Sequence, residues 1–373
     1  MTSIVILSYN TLALTRLCIE SIRIYTEADS YELIVVDNGS ADGSRAWLKE
    51  QEDILLLCNE TNRGFAGGCN QGMRAAHGDS LLLLNSDTIV TPHWLANLRR
   101  ALFSAPDIGA VGAMTNAASN GQMLPVHYEG LEQMESFAAR FNVPDPSKWQ
   151  PWFMLVGFCL LIRREAYIEI GELDEAFSPG YYEDDDYALR LRRAGFDILL
   201  AQDTFIHHFG SASFRKENDL EKSTKMQALN RRNRTYLGEK WGLGEDYAIS
   251  VDCSMLLPAV LPKKAKVTLL DFRYGKNIYP LRARHPEAEV CGILVGACPL
   301  LCPSPRVAVR RAANLAEAAH AVQAGQDFIV VLTLAAYQEE QETVRILQTK
   351  LNGNGQVVYS DANGTYQIGR VGR

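Results

Sequence analysis

The 373-residue chain lacks any apolar run near the roughly 20 residues needed to cross a bilayer. Its N-terminus enters a strand-like segment directly, without the basic n-region of a secretory signal. A cytoplasmic protein is therefore expected, with any membrane contact peripheral and at the inner face. Cysteine occurs eight times but scattered, at Cys18, Cys58, Cys69, Cys159, Cys253, Cys291, Cys298 and Cys302. Only Cys298 and Cys302 lie close together, with no second pair at zinc-site spacing, so reduced thiols filling the core are expected. The chain also has no G-x-S-x-G turn and no P-loop, which sets aside nucleophile-elbow hydrolases and P-loop nucleotide enzymes. Repeats and low-complexity tracts are missing as well. With 47% hydrophobic and 22% charged residues, disorder, collagen-like repeats and coiled coil are excluded, and a packed globular protein is expected.

At roughly 100–200 residues per domain the length suits two domains. Residues 257–373 hold 14 Lys and Arg against 9 Asp and Glu, a surplus of +5 that leaves −12 for residues 1–256. In the first two hundred residues, short β-branched or leucine-rich runs alternate with amphipathic stretches, the pattern of an α/β sheet of mainly parallel strands. Strands are expected at Ser3–Ser8, Glu32–Val36, Ile54–Cys58, Ser80–Leu84, Gly109–Ala113, Gly157–Ile162 and Asp197–Ala201. The stretch Thr115 to Gln150 has weak periodicity and reads as a long loop, of the kind that forms lids or acceptor-binding segments. A charged helical run follows from Glu217 to Trp241, and then a linker over 246–264. From Lys266 a second βαβ pattern begins, with one helix expected over Val307–Ala324. The expected division is 1–245, a linker at 246–264, and a small α/β domain at 265–373.

In open sheets of this kind, ligands bind beyond the carboxyl ends of the strands, and polar and glycine-rich residues gather at those places. Asn85-Ser86-Asp87 follows the apolar strand Leu81–Leu84, so Asp87 is held at the sheet edge, where a hard divalent cation needs one or two carboxylates plus substrate phosphates. Its purely structural alternative is an Asx turn or helix cap. Asp37-Asn38-Gly39-Ser40 follows the second strand and offers an acceptor for a base N–H or a ribose hydroxyl. The run Asn62 to Asn70, NRGFAGGCN, opens a helix with glycines that let backbone approach a phosphorylated ligand. Glu183-Asp184-Asp185-Asp186 begins another helix after Tyr181-Tyr182. Four adjacent carboxylates repel, which raises some of their pKa values and suits one of them to take a proton from a hydroxyl. One or two such acids would serve merely as a favourable first helical turn. His207-His208 offers imidazole ligands or a hydrogen-bonded loop.

In this order, the segments IVILSYN (Ile4–Asn10), LIVVDNGS (Leu33–Ser40), NRGFAGGCN, LLNSD (Leu83–Asp87), GFCLLIR (Gly157–Arg163), GELDEAF (Gly171–Phe177), EDDDYALR (Glu183–Arg190) and HFGSAS (His208–Ser213) resemble family 2 glycosyltransferases of the GT-A fold, near the bacterial rhamnosyltransferase-like branch. The resemblance covers roughly residues 1–240. It implies a Rossmann-like, mostly parallel sheet flanked by helices. It also implies that Asn10, Asp37, Asn62, Gly67, Gly68, Asn70, Asn85 and Ser86 hold a nucleotide-diphospho-sugar. Asp87 and His208 would bind Mn²⁺ or Mg²⁺, with His207 the fallback ligand, and Asp184 would act as general base. Asn85 stands where many relatives carry a first Asp.

The implied activity is inverting, metal-dependent transfer of a hexose from a UDP-, dTDP- or GDP-linked donor to a glycan or lipid-linked acceptor hydroxyl, in bacterial polysaccharide or O-antigen synthesis. No nucleic-acid partner is implied. Residues 265–373 faintly resemble a degenerate class I methyltransferase core, whose loop Asp271 to Lys276 carries a single glycine, and docking or homodimerisation is the role expected of them. Two other classes compete: a non-catalytic nucleotide-sugar-binding or scaffolding protein, and a nucleotidyltransferase.

Overall fold

The computed structural model describes residues 1–210, 220–244, 256–272, 274–296, 304–332, 341–360 and 366–370. The expectations placed on Ser211 to Ser213, residues 217–219, 246–255 (with Cys253), Arg273, Ala297-Cys298, Cys302 and Glu339-Glu340 lie outside the described residues. The chain divides into two compact units, Met1–Leu237 and Gly238–Arg373.

The first unit runs β1 (Thr2–Ser8), α1 (Leu12–Tyr25), β2 (Tyr31–Asp37), α2 (Ser44–Lys49), β3 (Ile54–Cys58), α3 (Gly64–Ala75), β4 (Ser80–Asn85), β5 (Thr88–Ile89), α4 (Trp94–Leu102), β6 (Ile108–Met114), α5 (Gly130–Phe141), β7 (Trp149–Pro151), β8 (Cys159–Arg163), α6 (Arg164–Ile170), α7 (Glu183–Arg193), β9 (Asp197–Phe205), β10 (His207–His208) and α8 (Leu220–Trp241). Its main sheet has the order β3-β2-β1-β4-β8-β6-β9-β7, and this is the mixed, mostly parallel α/β sheet that the alternation of runs implied. β1, β2, β3 and β4 are parallel neighbours, whereas β8 runs antiparallel to both β4 and β6. Leu81 to Leu84 are buried, as a strand covered on both faces requires. One layer of the core joins Ile4, Ile6, Val35, Leu82, Leu84, Val111 and Leu161 of the sheet to Ile19 and Ile22 of α1 and Trp94 and Leu98 of α4. Each such side chain contributes about 1.5–3 kcal/mol by leaving water.

The antiparallel β8 matters for the site. Its register pairs Leu84 with Cys159, which delivers Gly157 and Phe158 to the edge where β4 ends. Two expectations need correction. The stretch 115–150 is not a plain loop, because α5 stands inside it. Met134, Phe137, Ala138 and Phe141 form an i, i+3, i+4, i+7 stripe on α5, with Phe137 and Phe141 on Phe205 at ring distances of 5.1 and 6.3 Å.

The second unit holds β11 (Lys266–Asp271), α9 (Ile278–Arg284), β12 (Glu289–Val295), β13 (Val309–Ala312), α10 (Leu315–Ala321), β14 (Gln326–Leu332), α11 (Gln341–Thr349), β15 (Leu351–Ser360) and β16 (Tyr366–Arg370). Its sheet order is β13-β12-β11-β14-β15-β16, with β16 antiparallel. Here the single helix expected over Val307–Ala324 is corrected to a strand followed by a helix. Asn314 caps the helix by accepting the Glu317 N–H at 2.9 Å, so the helix cannot begin before it. Among the described residues no helix is long and apolar enough to cross a membrane.

Candidate active site

The carboxyl ends of β1 and β2 are tied to each other. Asn10, in the left-handed region at φ 52°, accepts the Ala41 N–H at 2.8 Å, and its own N–H donates to Ser40 Oγ at 3.1 Å. Asp37 is fully buried at the end of β2. Its Oδ2 accepts from Arg45 Nε at 2.9 Å and from the Ser40 N–H at 3.4 Å, while Oδ1 is buried with no hydrogen-bond partner. Arg45, which nothing in the sequence singled out, also reaches the Asn59 carbonyl. Asn62 accepts from Asn38 Nδ2 at 2.9 Å and from the Gly64 N–H at 2.8 Å, closing the loop before α3. Thr11 hydroxyl meets Ser86 hydroxyl at 3.2 Å, which joins this edge to Asn85-Ser86-Asp87.

Asp87 and His208 come together through a two-stranded pairing of β5 with β10, where His208 lies opposite Thr88 and the Phe209 N–H donates to the Asp87 carbonyl at 2.9 Å. His208 is further held by Asn116, which bonds both its backbone N–H and its carbonyl. The Phe158 ring stacks on it at 5.2 Å and 14°. Its Nδ1 lies 2.7 Å from the Ala117 carbonyl. A carbonyl only accepts, so Nδ1 carries a proton. The other ring nitrogen, Nε2, is buried and stands 3.2 Å from Asp87 Oδ1. A carboxylate oxygen and an imidazole nitrogen side by side suit a shared cation, and a second group holding the imidazole through Nδ1–H is the usual arrangement around a metal. Among the described residues no cluster of three or more candidate ligand side chains occurs. A hard cation here would draw its remaining oxygens from substrate phosphate and water.

Strand alternation turns His207 the other way. Its Nδ1 meets Tyr128 hydroxyl at 2.5 Å, and burial, then the neighbouring His208, push its imidazole down to about 4. A cavity of about 720 Å³ lined by Asn116, Val126, His127, Tyr128, Glu129 and Gln133 opens on this side.

The four acids at the start of α7 have separate surroundings. Asp186 is fully buried and accepts from Arg190 Nε at 2.8 Å. Glu183 is 7% exposed, with Oε2 buried and unbonded. Burial, then the charge of Asp184, pushes its carboxyl well above the usual range. Asp184 is partly exposed. Its Oδ2 accepts the Gly157 N–H and its Oδ1 the Asp185 N–H, each at 3.0 Å, and burial raises its pKa against the pull of those donors. The chain enters this helix through Tyr181 and Tyr182, both left-handed at φ 76° and 73°. Such a conformation costs of order 1–3 kcal/mol per residue and persists only where neighbours enforce it.

One short turn therefore links the two chemical groups. The Gly157 N–H holds Asp184, and the Phe158 carbonyl accepts the Asn85 N–H at 2.9 Å while its ring covers His208. Gly157-Phe158 lay within GFCLLIR but carried no side-chain chemistry to mark it, and Asn116 gave no signal at all.

Gly67, Gly68 and Asn70 are all buried in α3. A Cβ on Gly68 would stand 2.2 Å from Leu7 Cδ1, and one on Gly72 2.3 Å from Val5 Cγ1, so these glycines let the helix lie close on β1. The amide of Asn70 is occupied by Leu173 and Glu175.

Residues 3–171 match the family model described as glycosyl transferase family 2. A low-salt glycan biosynthesis hexosyltransferase of Haloferax volcanii is 27% identical over 175 residues, 45% of this chain and 55% of that protein. An O-antigen biosynthesis protein of Myxococcus xanthus is 26% identical over 220 residues, 55% of this chain and 17% of that one. The chain thus spans about half the length of the first relative and about a sixth of the second. Among solved structures, a mannosyltransferase of Pyrobaculum calidifontis in complex with GDP-Man and Mn2+ is 18% identical at a TM-score of 0.46, covering 65% of this chain and 63% of that one.

Proposed function

We propose, from the premise that residues 3–171 of this chain belong to a glycosyl transferase family 2 domain, that the protein moves a sugar from a nucleotide-diphospho-sugar to an acceptor hydroxyl with inversion at the anomeric carbon. The observation that carries this reading is the buried pair Asp87 Oδ1 and His208 Nε2 at 3.2 Å, with a fixed carboxylate, Asp184, on the same Gly157-Phe158 turn. Asp87 and His208 would hold Mn²⁺ or Mg²⁺. Bound there, the cation would neutralise charge on the departing diphosphate as a Lewis acid.

The residues of the chain do the rest. Asn10, Asp37 and Asn62 shape the edge that takes the nucleotide, with Asp37 at the end of β2 beside Arg45 and the Ser40 turn. Asp184 takes the proton of the acceptor hydroxyl as that oxygen attacks the anomeric carbon and the bond to the diphosphate breaks. Such help is worth about 10²–10⁴-fold. Retention would need a second carboxylate as nucleophile. Glu183 and Asp186 of this cluster are buried; Asp185 is partly exposed, and the anomer formed tells whether it takes any such part. The cavity beside Tyr128 offers room for the acceptor, and the names of the two relatives support a place in surface-glycan assembly. Residues 265–373 are assigned a docking role.

The test is turnover of a panel of UDP-, dTDP- and GDP-sugars with Mn²⁺ and a glycan acceptor, following nucleoside diphosphate release and the anomer formed. Product of inverted configuration is expected. Nucleotide binding without turnover of any donor would favour a non-catalytic binding protein instead.

A further inference from the structure

Asn233 of α8 is fully buried although it is polar. Its Nδ2 donates to the carbonyls of Phe177, Gly180 and Tyr181 at 2.7, 2.8 and 3.0 Å. An amide has two N–H groups, so one of them is shared between two carbonyls. Its Oδ1 accepts from Arg232 Nε at 2.8 Å, and another arm of Arg232 reaches the Ser178 carbonyl. The remaining carbonyl of this run, that of Pro179, accepts the Phe65 N–H at 2.9 Å. Five consecutive carbonyls, 177 to 181, thus have donors, and the adjacent pair Arg232-Asn233 serves four of them. Tyr236 adds a hydroxyl bond to Asp174 at 3.0 Å and a ring contact with Phe177 at 4.9 Å.

The chain leaving this cradle passes at once through left-handed Tyr181 and Tyr182. Tyr182 is the cap of α7 and makes no side-chain capping bond. Locally the Tyr182 carbonyl accepts the Asp186 N–H at 3.0 Å, and the left-handed pair is supported further from α8, where Tyr182 hydroxyl meets Asn230 Oδ1 at 3.4 Å and Asn233 holds the carbonyls before it. Asp184 follows two residues later.

We propose that Asn233 is a positioning residue for Asp184: by gathering the carbonyls of Phe177, Gly180 and Tyr181 it holds the entry to α7 in the conformation that sets the Asp184 carboxylate on the Gly157 N–H. The proposal rests on the reading of Asp184 as the base. An apolar side chain of similar volume would fill the space and take the Asn233 donors from Gly180 and Tyr181, leaving Phe177 with the Gly180 N–H alone. A carboxylate would face them with acceptors alone.

The full-length variants Asn233→Asp and Asn233→Ala test this, with Asn233→Ser, which keeps one donor, as the milder form should either fail to fold. Three quantities are read: kcat and donor KM with Mn²⁺, affinity for UDP, dTDP and GDP, and the pH titration of the Asp184 carboxyl by carbon-13 NMR, its signal assigned from Asp184→Asn. The expected result is a fall in kcat of about 10²-fold, as for a misplacement near 1 Å. Donor KM and nucleotide affinity should stay at wild-type levels, and the Asp184 titration should move from its wild-type position, because both the Gly157 N–H and burial set it. Unchanged kcat and an unchanged Asp184 titration in folded Asn233→Asp would overturn the proposal. So would kcat, KM and nucleotide affinity failing together, since that marks general damage. If the wild-type protein turns over no donor, the transferase reading fails, while the Asp184 titration still decides whether Asn233 positions that carboxyl.

Discussion

Replacing Asp184 with asparagine keeps the shape of the side chain and removes its charge. Both carboxylate oxygens accept a backbone N–H at 3.0 Å, from Gly157 and from Asp185. An amide offers a single acceptor oxygen, so in either orientation its NH₂ faces one of those N–H groups. Leaving one buried donor unmet costs about 1–3 kcal/mol. Against that loss stands a gain, because burial disfavours the charge that Asp184 carries. The two effects oppose each other, so the folded state is expected to survive with a modest loss that thermal melting will measure.

Activity has no such offset. Without a group to take the acceptor proton, kcat should fall by about 10²–10⁴-fold, which at 1.36 kcal/mol per decade is about 2.7–5.4 kcal/mol of barrier. The assay is nucleoside diphosphate release from the donor that the panel identifies, run beside nucleotide binding with Mn²⁺. Asp184→Asn protein that melts near the wild type, binds nucleotide and still transfers at the wild-type rate would refute the assignment.

Other outcomes follow from the same geometry. With Asp184 raised by burial, the acid limb of kcat should lie above the usual carboxylate range, activity rising as pH climbs through it. Stability should run the opposite way: Glu183 and Asp184 are both raised, so their contribution is full below the unfolded carboxyl value of about 4 and is lost as pH rises through the folded ones. Urea midpoints from pH 4 to 8 should show that decline, and Glu183→Gln should flatten it; an equally steep decline in the variant would count against a buried acidic Glu183. Asp87→Asn removes the carboxylate beside His208 Nε2, so Mn²⁺-dependent nucleotide binding should be lost in protein that still folds. Wild-type Mn²⁺-dependent binding in the folded variant would contradict the assignment of Asp87 as a ligand. For Gly72→Ala, overpacking of fully buried Val5 costs about 1–3 kcal/mol against about 1 kcal/mol of helix propensity gained. A net loss of up to about 2 kcal/mol is expected, and Gly68→Ala should lose less because the end of Leu7 can swing away. Reversal of that order in chemical denaturation would contradict the packing role of α3.

Strands such as Ser80–Asn85 were legible because four successive buried leucines admit few other readings, and the motifs at strand ends were legible because open sheets bind ligands there. The stripe Met134, Phe137, Ala138 and Phe141 of α5 is helical in period, but it is short and stands between proline- and glycine-bearing segments that read as loop. The β-strand Val309–Ala312 was absorbed into a neighbouring helical pattern, since four residues are too few for either period to show.

The glycines of NRGFAGGCN illustrate a different difficulty. Close approach of a ligand and close approach of a strand call for the same residue, and composition cannot separate them. For Gly68 the position of Leu7 shows the close approach of a strand, whereas Gly67 faces Arg63 and Glu175.

By itself, then, the sequence determined the alternating α/β architecture of the first unit and the types of group at its edge: a carboxylate after β4, acids opening a helix and a histidine pair. These depend on period and residue type, which local order carries. Tertiary structure decided which of two histidines faces Asp87, which of four acids is fixed on a backbone donor, and that a buried asparagine in α8 holds the approach to it. Each of those is a matter of what stands across a gap of about 3 Å from residues far away along the chain, a distance that hydrogen bonding enforces and that spacing in sequence does not encode.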